Sequence, residues 1–251
     1  MLKARIDIEK RFGIDTLSLS IQNKFTDQYS QDSITKIESL KEPGRKTTVT
    51  KQADMDEKER RDTLLEELHR KLLSCHKCSL SKTRTNLVFG VGSSTANLMF
   101  VGEAPGRDED SKGEPFVGRA GQLLTKIIEA IGMKRSDVYI ANILKCRPPG
   151  NRNPLPEEID LCMPYLMEQI DIIQPKVLCA LGTFAAQTLL NTKAPVGTLR
   201  GKFHEYKNIP TMVTFHPAYL LRNPGEKAKV WEDMKKVRDF FSKKNQNVPP
   251  D

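Results

Sequence analysis

The chain has little that would anchor it in a membrane or send it out of the cell. Among its 251 residues no apolar run approaches the eighteen or more that a membrane span requires. The N-terminus MLKARIDIEKRFG has no apolar signal-peptide core. A cytoplasmic protein is therefore expected, and in that compartment disulfides are not. Aromatic residues are almost missing from residues 28–58, QYSQDSITKIESLKEPGRKTTVTKQADMDEK, which also show no sustained periodicity. Such a segment cannot offset its ordering entropy, so disorder is expected there. The stretch before it, RIDIEKRFGIDTLSLSIQNKF, has enough apolar residues for a short docking element.

The chain is not short of core material. Apolar residues make up 38% and charged residues 29%, an ordinary soluble composition that suits one main domain with tails. We divide the chain into an extension, 1–55, a domain, 56–244, and a tail, 245–251. The formal charge is +8, with 12 basic and 11 acidic residues in 1–60 and the remaining excess of +7 beyond them. A basic folded part favours a polyanionic partner such as nucleic acid, although solubility alone accounts for the same number.

Leu64, Leu65, Leu68, Leu72 and Leu73 recur at helical spacing and predict an amphipathic helix between Asp56 and Ser74. Beyond it, the runs NLMFVGEAPG, DVYIANILKCRPP, KVLCALG and TMVTFHP each read as a buried strand ending in Gly, Pro or polar residues. The helical patterns GQLLTKIIEAIG, PEEIDLCMPYLMEQIDII and TFAAQTLL separate them. Alternation of this kind predicts an α/β fold, a parallel sheet with helices on both faces. In such sheets ligands bind at the carboxyl ends of the strands. Here GEAPG follows the first strand, Asn142 lies near the end of the second, and FHPAYLLRNP follows the last, which predicts one shared cleft.

Cys75-His-Lys-Cys78 presents two thiols to one centre, and Cys146 and Cys162 form a second pair. Four thiolates suit either zinc or an iron-sulfur cluster, against the plainer alternatives of core cysteines or a redox dithiol. Cys179, inside VLCALG, reads as core. His69 and His76 read as solvated surface positions, and His204 as a sheet or loop residue.

Taken together, GEAPG, PFVGRAGQLL, YIANILKCRPPGNRNP and FHPAYLLRNP, with the four cysteines at these places, resemble the family 4 uracil-DNA glycosylases, the iron-sulfur members of the uracil-DNA glycosylase superfamily. The resemblance spans residues 60–242. It implies a four-stranded parallel sheet flanked by helices and a 4Fe-4S cluster on Cys75, Cys78, Cys146 and Cys162. It also implies hydrolysis of the N-glycosidic bond of uracil in DNA, which initiates base excision repair. Uracil-containing DNA is then the partner, a membrane is not, and a monomer is expected.

The matching residues have chemistry suited to that reaction. A base must leave the stack to be attacked. Phe116 is placed to stack on the flipped pyrimidine, and Asn142 offers an acceptor and a donor that pair with uracil N3–H and O4 but mismatch cytosine. His216 is placed to donate to uracil O2 as charge develops on the departing base, and a neutral imidazole suffices. Each of these has a plainer alternative: core packing, a strand end and a capped loop. Leu220 is a candidate wedge for the vacated stack, with Tyr219 or Leu221 as alternatives, and Arg222, Arg147 and Arg152 are candidates to meet phosphates. GEAPGRDEDSKGEPF brings backbone amides and acids to the sugar and base, with Glu103 and Ala104 among its substrate contacts. Some better-known relatives have Asp directly before the Pro of this motif. Here Ala104 stands there, so the acid that orients water falls among Glu103, Glu109 and Asp110. Gly106 replaces a bulky residue that would exclude thymine's methyl, which leaves that exclusion to another group, with Glu103 as the candidate.

Two other classes compete. A uracil-DNA-binding protein that holds or captures its substrate without turnover forms one subgroup of the superfamily, and its histidine-bearing insertion is missing from the short interval CRPPGNRNPLPEE. An iron-sulfur redox protein would account for the cysteines but leave Phe116, Asn142 and His216 without a role.

Overall fold

The structure, a computed structural model, describes residues 46–245. The docking element read near the N-terminus, the expected disorder before residue 46 and the tail from 246 onward lie outside the described residues.

Helix α1 spans Lys46–Leu73, so the part of the supposedly disordered stretch from residue 46 onward is helical. Polar composition is compatible with a helix here because the charges come in pairs. Lys58 meets Asp62 at 2.6 Å, and Glu57 receives both Arg60 and Arg61 at helical spacing. Such pairs support a helix by tenths of a kcal/mol each, about 0.2–0.5. Leu65, Leu68 and Leu72 are buried, whereas Leu73 is 56% exposed, so the apolar stripe is narrower than five leucines suggest. Arg61 donates to the carbonyl of Ile173 at 2.6 Å and fastens the helix to the C-terminal end of a distant helix.

The sheet has six strands in the order β1-β3-β2-β4-β6-β5. Four of them, β2 (Leu98–Gly102), β3 (Tyr139–Asn142), β4 (Val177–Leu181) and β6 (Ile209–Thr214), are parallel. They are the four strands expected from the apolar runs. The edges correct the expectation of a purely parallel four-stranded sheet. Strands β1 (Val91–Gly92) and β5 (Phe203–Tyr206) both pair antiparallel. β1 is two residues long, below the length at which alternation is detectable. β5 forms a hairpin with β6 through Lys207 and Asn208, both at positive φ (48° and 64°), the backbone of a type I′ turn without its usual Asn-Gly signature.

Alternation across β2 sorts its residues onto two cores. Met99 and Val101 join the face covered by α1 and by α4 (Pro156–Ile173) and α5 (Thr183–Leu190), while Leu98 and Phe100 join the face covered by α3 (Arg119–Ala130), α7 (Pro217–Arg222) and α8 (Lys227–Asn245). The short α2 (Arg107–Lys112) and α6 (Val196–Leu199) lie in loops between these elements. Cys179 is fully buried in the second core, as its apolar setting predicted. Helices thus cover both faces, and the carboxyl ends of the parallel strands are left to loops.

Candidate active site

Register places Gly102 opposite Asn142 and Leu181 opposite Thr214. The four parallel strands therefore deliver Glu103, Asn142, Gly182 and Phe215-His216 to one end of the sheet. There a cleft of about 700 Å³ opens, lined by Glu103, Ala104, Glu109, Phe116, Asn142, Arg152, His216 and Arg222, among others. The substrate-contact candidates Glu103, Ala104, Phe116, Asn142 and His216 are among them, with Arg152 and Arg222 of the phosphate-contact candidates, gathered from segments more than a hundred positions apart.

Phe116 and His216 face one another with ring centroids 5.4 Å apart. Phe116 is held at φ 54°, a left-handed backbone that a bulky side chain adopts only when its surroundings impose it. Glycines make that possible. A Cβ at Gly121 would lie 1.8 Å from the Phe116 carbonyl oxygen, and one at Gly102 would lie 2.6 Å from the Phe116 ring and 2.4 Å from Asn142 Oδ1. Gly182, at φ 87°, similarly leaves room for the Cβ of His216. The sequence reading missed these roles. Gly102 leads the GEAPG motif, but only the packing shows what its missing side chain admits.

Asn142 is 2% exposed, and its Oδ1 is a buried acceptor with no hydrogen-bond partner. An unpaired amide oxygen at this depth is costly unless a ligand meets it. His216 caps α7, its Nδ1 accepting from the Ala218 N–H at 3.1 Å. A ring nitrogen that accepts carries no proton, so the proton of the neutral imidazole resides on Nε2. Burial depresses the His216 pKa to about 4, against a smaller opposing pull from Glu109 and a small push in the same direction from Arg222. The ring is neutral at physiological pH, in keeping with a donor that need not be charged.

The acids divide by what they touch. Glu109 accepts from Val117 N–H and Gly118 N–H at 3.0 Å each, and from Gly106 N–H at 3.2 Å. It braces the loop that carries Phe116. Asp110 is buried and accepts from Thr85 N–H at 2.9 Å, and does not line the cleft. Glu103 is half-buried in the cleft, and desolvation raises its pKa to about 7. Asp108 lies in the first turn of α2 and is exposed.

Leu220 is 1% exposed and packs in the core beneath α7, because position 220 falls on the inner face of that helix. Leu221 is 37% exposed and Tyr219 lines the cleft. Arg222 lines the cleft and is exposed, whereas Arg147 lies outside it and donates to Asn151 Oδ1 at 2.7 Å. Arg152 reaches the cleft but grips Glu158 with two hydrogen bonds, 2.9 and 2.6 Å. His69 departs from the expected solvated position: it is half-buried and stacked on Phe89, centroids 4.7 Å apart. His76 is exposed as expected, and His204 lies in β5 with Nε2 2.7 Å from the Leu199 carbonyl.

On one side of the sheet Cys75, Cys78, Cys146 and Cys162 line a single small cavity together with Arg84, Lys145 and Tyr165. Burial raises the thiol pKa values of Cys146 and Cys162, the latter to about 11, against smaller opposing pulls from Arg84 on the first and Lys145 on the second. Arg84 donates to Cys146 Sγ at 3.2 Å. Among the described residues no group of three or more His, Cys, Asp and Glu side chains is placed to hold a metal ion as it stands, so the thiols outline a cavity rather than a closed coordination sphere.

The family model described as the uracil DNA glycosylase superfamily matches residues 89–235, which contain every strand but no part of α1. The chain is 46% identical to a type-4 uracil-DNA glycosylase of Archaeoglobus fulgidus over 72% of this chain and 94% of that protein. It is 43% identical to one of Thermotoga maritima over 73% of this chain and 97% of that protein. A type-4 enzyme of Sulfurisphaera tokodaii is 44% identical, over 70% and 84%. Identity at this level across nearly the whole length of such relatives, on a scaffold whose strand ends converge on one cleft, shows that this chain belongs to the type-4 uracil-DNA glycosylases of the uracil-DNA glycosylase superfamily.

Proposed function

We propose that this protein is a DNA N-glycosylase that takes uracil flipped from DNA into the cleft and hydrolyses its bond to the sugar. The observation that carries this reading is the unpaired Oδ1 of Asn142 at the floor of a cleft walled by Phe116 and His216. Uracil N3–H meets that oxygen and the amide nitrogen meets O4, while the pyrimidine stacks on Phe116. Cytosine presents an acceptor at N3 and a donor at the exocyclic position. Both contacts then fail, and a buried amide left unpaired rejects the wrong base strongly.

His216 Nε2–H donates to uracil O2. As the C1′–N1 bond breaks, its electron pair leaves on the base and gathers at O2, where the donor strengthens. Water adds its oxygen to C1′, and Glu103 accepts the proton that water loses. A carboxylate whose pKa is raised to about 7 by burial is a stronger base than an ordinary one and is still ionised in useful amount near neutrality. Its negative charge also steadies the electron-poor sugar. Glu109, engaged with three backbone amides, keeps the recognition loop in shape. In place of Leu220, the exposed Leu221 on the same helix takes the role of wedge, and Arg222 contacts a phosphate.

Cys75, Cys78, Cys146 and Cys162 would hold a 4Fe-4S cluster. The donor set is suitable because the four thiols share one cavity, and four cysteine thiolates are the ordinary ligand set of such a cluster. When bound, the cluster supplies a cross-link between the end of α1, the exit of β3 and the middle of α4. Hydrolysis needs no electron transfer from it.

The purified protein incubated with an oligonucleotide bearing a single uracil, then treated with alkali, is expected to give strand breaks at uracil and none at cytosine. Retention of uracil-DNA without breaks would favour a binding protein over an enzyme.

A further inference from the structure

Three residues beyond Asn142, Lys145 is 1% exposed, and no salt bridge among the described residues includes it. Its Nζ donates to the backbone carbonyl of Asn142 at 2.8 Å and to Gln169 Oε1 at 2.6 Å. Gln169, itself fully buried, donates through Nε2 to the Phe89 carbonyl at 3.0 Å and the Tyr139 hydroxyl at 3.2 Å. Tyr139 begins strand β3 and Asn142 ends it. The network thus grips the recognition strand at both ends and ties it to helix α4.

Stability alone does not account for a lysine here. A buried ammonium bonded to two neutral acceptors is expensive, and an apolar side chain of similar length is commonly the cheaper occupant. What the lysine does is specific. Asn142 is the last residue of its strand, and Lys145 gives its carbonyl a fixed partner. A shift of the strand end would carry the amide away from its place beside Gly102, where an added Cβ would lie 2.4 Å from Asn142 Oδ1. Lys145 also lines the cysteine cavity.

We propose that Lys145, with Gln169 behind it, is a positioning residue that sets the orientation of the Asn142 amide and thereby the recognition of uracil. The inference rests on the uracil-glycosylase reading, and wild-type cleavage of the uracil oligonucleotide tests that reading separately. Lys145→Met keeps the length of the side chain and removes its donors. Measured by single-turnover kinetics at equal bound iron per chain, it is expected to raise the DNA concentration for half-maximal rate tenfold or more. The saturating rate should change much less, and selectivity for uracil over cytosine should fall. The decisive measurement is a double-mutant cycle with Asn142→Ala. If Lys145 acts through Asn142, Lys145→Met has little further effect once the amide is gone. Equal losses in the two backgrounds would overturn the proposal, as would wild-type selectivity in Lys145→Met. Should that variant not fold, Gln169→Met, which removes only the rear anchor, is expected to give a smaller loss of the same kind. That loss should also vanish with Asn142→Ala, and an additive result would again overturn the proposal.

Discussion

Replacing His216 by alanine tests the centre of the cleft. Among the described residues the side chain makes one hydrogen bond, Nδ1 accepting from Ala218 N–H, which leaves Nε2–H for the pocket. Two separable losses follow. Removing a helix cap destabilises by about 1 kcal/mol, which thermal or denaturant unfolding would read. Removing a donor aimed at developing negative charge slows the chemical step by about 10²–10³-fold, equivalent to about 2.7–4 kcal/mol. Binding of uracil-DNA should change little, because the O2 contact strengthens only as the bond breaks. Single-turnover cleavage of a uracil oligonucleotide, with direct titration of binding, measures both. His216→Asn separates the roles: asparagine caps a helix well and should restore stability, while its shorter amide does not restore the rate. With the His216 pKa depressed to about 4, the ring stays neutral from mildly acid to alkaline pH and should add no limb to the rate profile there. Wild-type cleavage by His216→Ala, or a rate that tracks protonation of this ring near neutrality, would refute the assignment.

Glu103, with its pKa raised to about 7, should make the wild-type rate fall about tenfold per unit as pH drops below that value, and Glu103→Gln should be slow and lose this limb. The linkage has a definite sign: burial disfavours the ionised form, so its cost is absent below the ordinary carboxylate value near 4.5 and complete above about 7. Glu103→Gln should accordingly melt higher than wild type at about pH 8 and show no such advantage at about pH 4; the reverse order would contradict the burial argument. Gly102→Ala introduces a Cβ 2.4 Å from Asn142 Oδ1 and is expected to weaken binding of uracil-DNA at least about tenfold, on the scale of about 1–3 kcal/mol for overpacking; unchanged affinity would mean the pocket floor is softer than it looks. Cys146→Ser should lower bound iron and thermal stability together, whereas Cys179→Ser should leave iron in place; a colourless wild-type protein holding one zinc would contradict the cluster.

Much of this molecule is legible without coordinates, because its informative features are local. Four apolar runs of strand length could be recognised one by one, as could the turn chemistry that ends them and the pairing of cysteines by spacing. The position of Asn142 at a strand end, and of Phe116 and His216 in loops, followed from the same patterns. What sequence by itself left undecided was set by contacts between distant segments. The two antiparallel edge strands have too few residues, or too exposed a pattern, to register as periodicity; they exist because neighbouring strands offer them hydrogen bonds. Leu220 and Leu221 are adjacent leucines on one short helix, and only its docking on the sheet decides which enters the core and which meets solvent. Glu103, Glu109 and Asp110 are carboxylates within eight positions of one another, alike in the sequence. Folding desolvates the first, bonds the second to three amides and buries the third against another loop, because side-chain chemistry is set by surroundings that exist only once the chain has closed on itself.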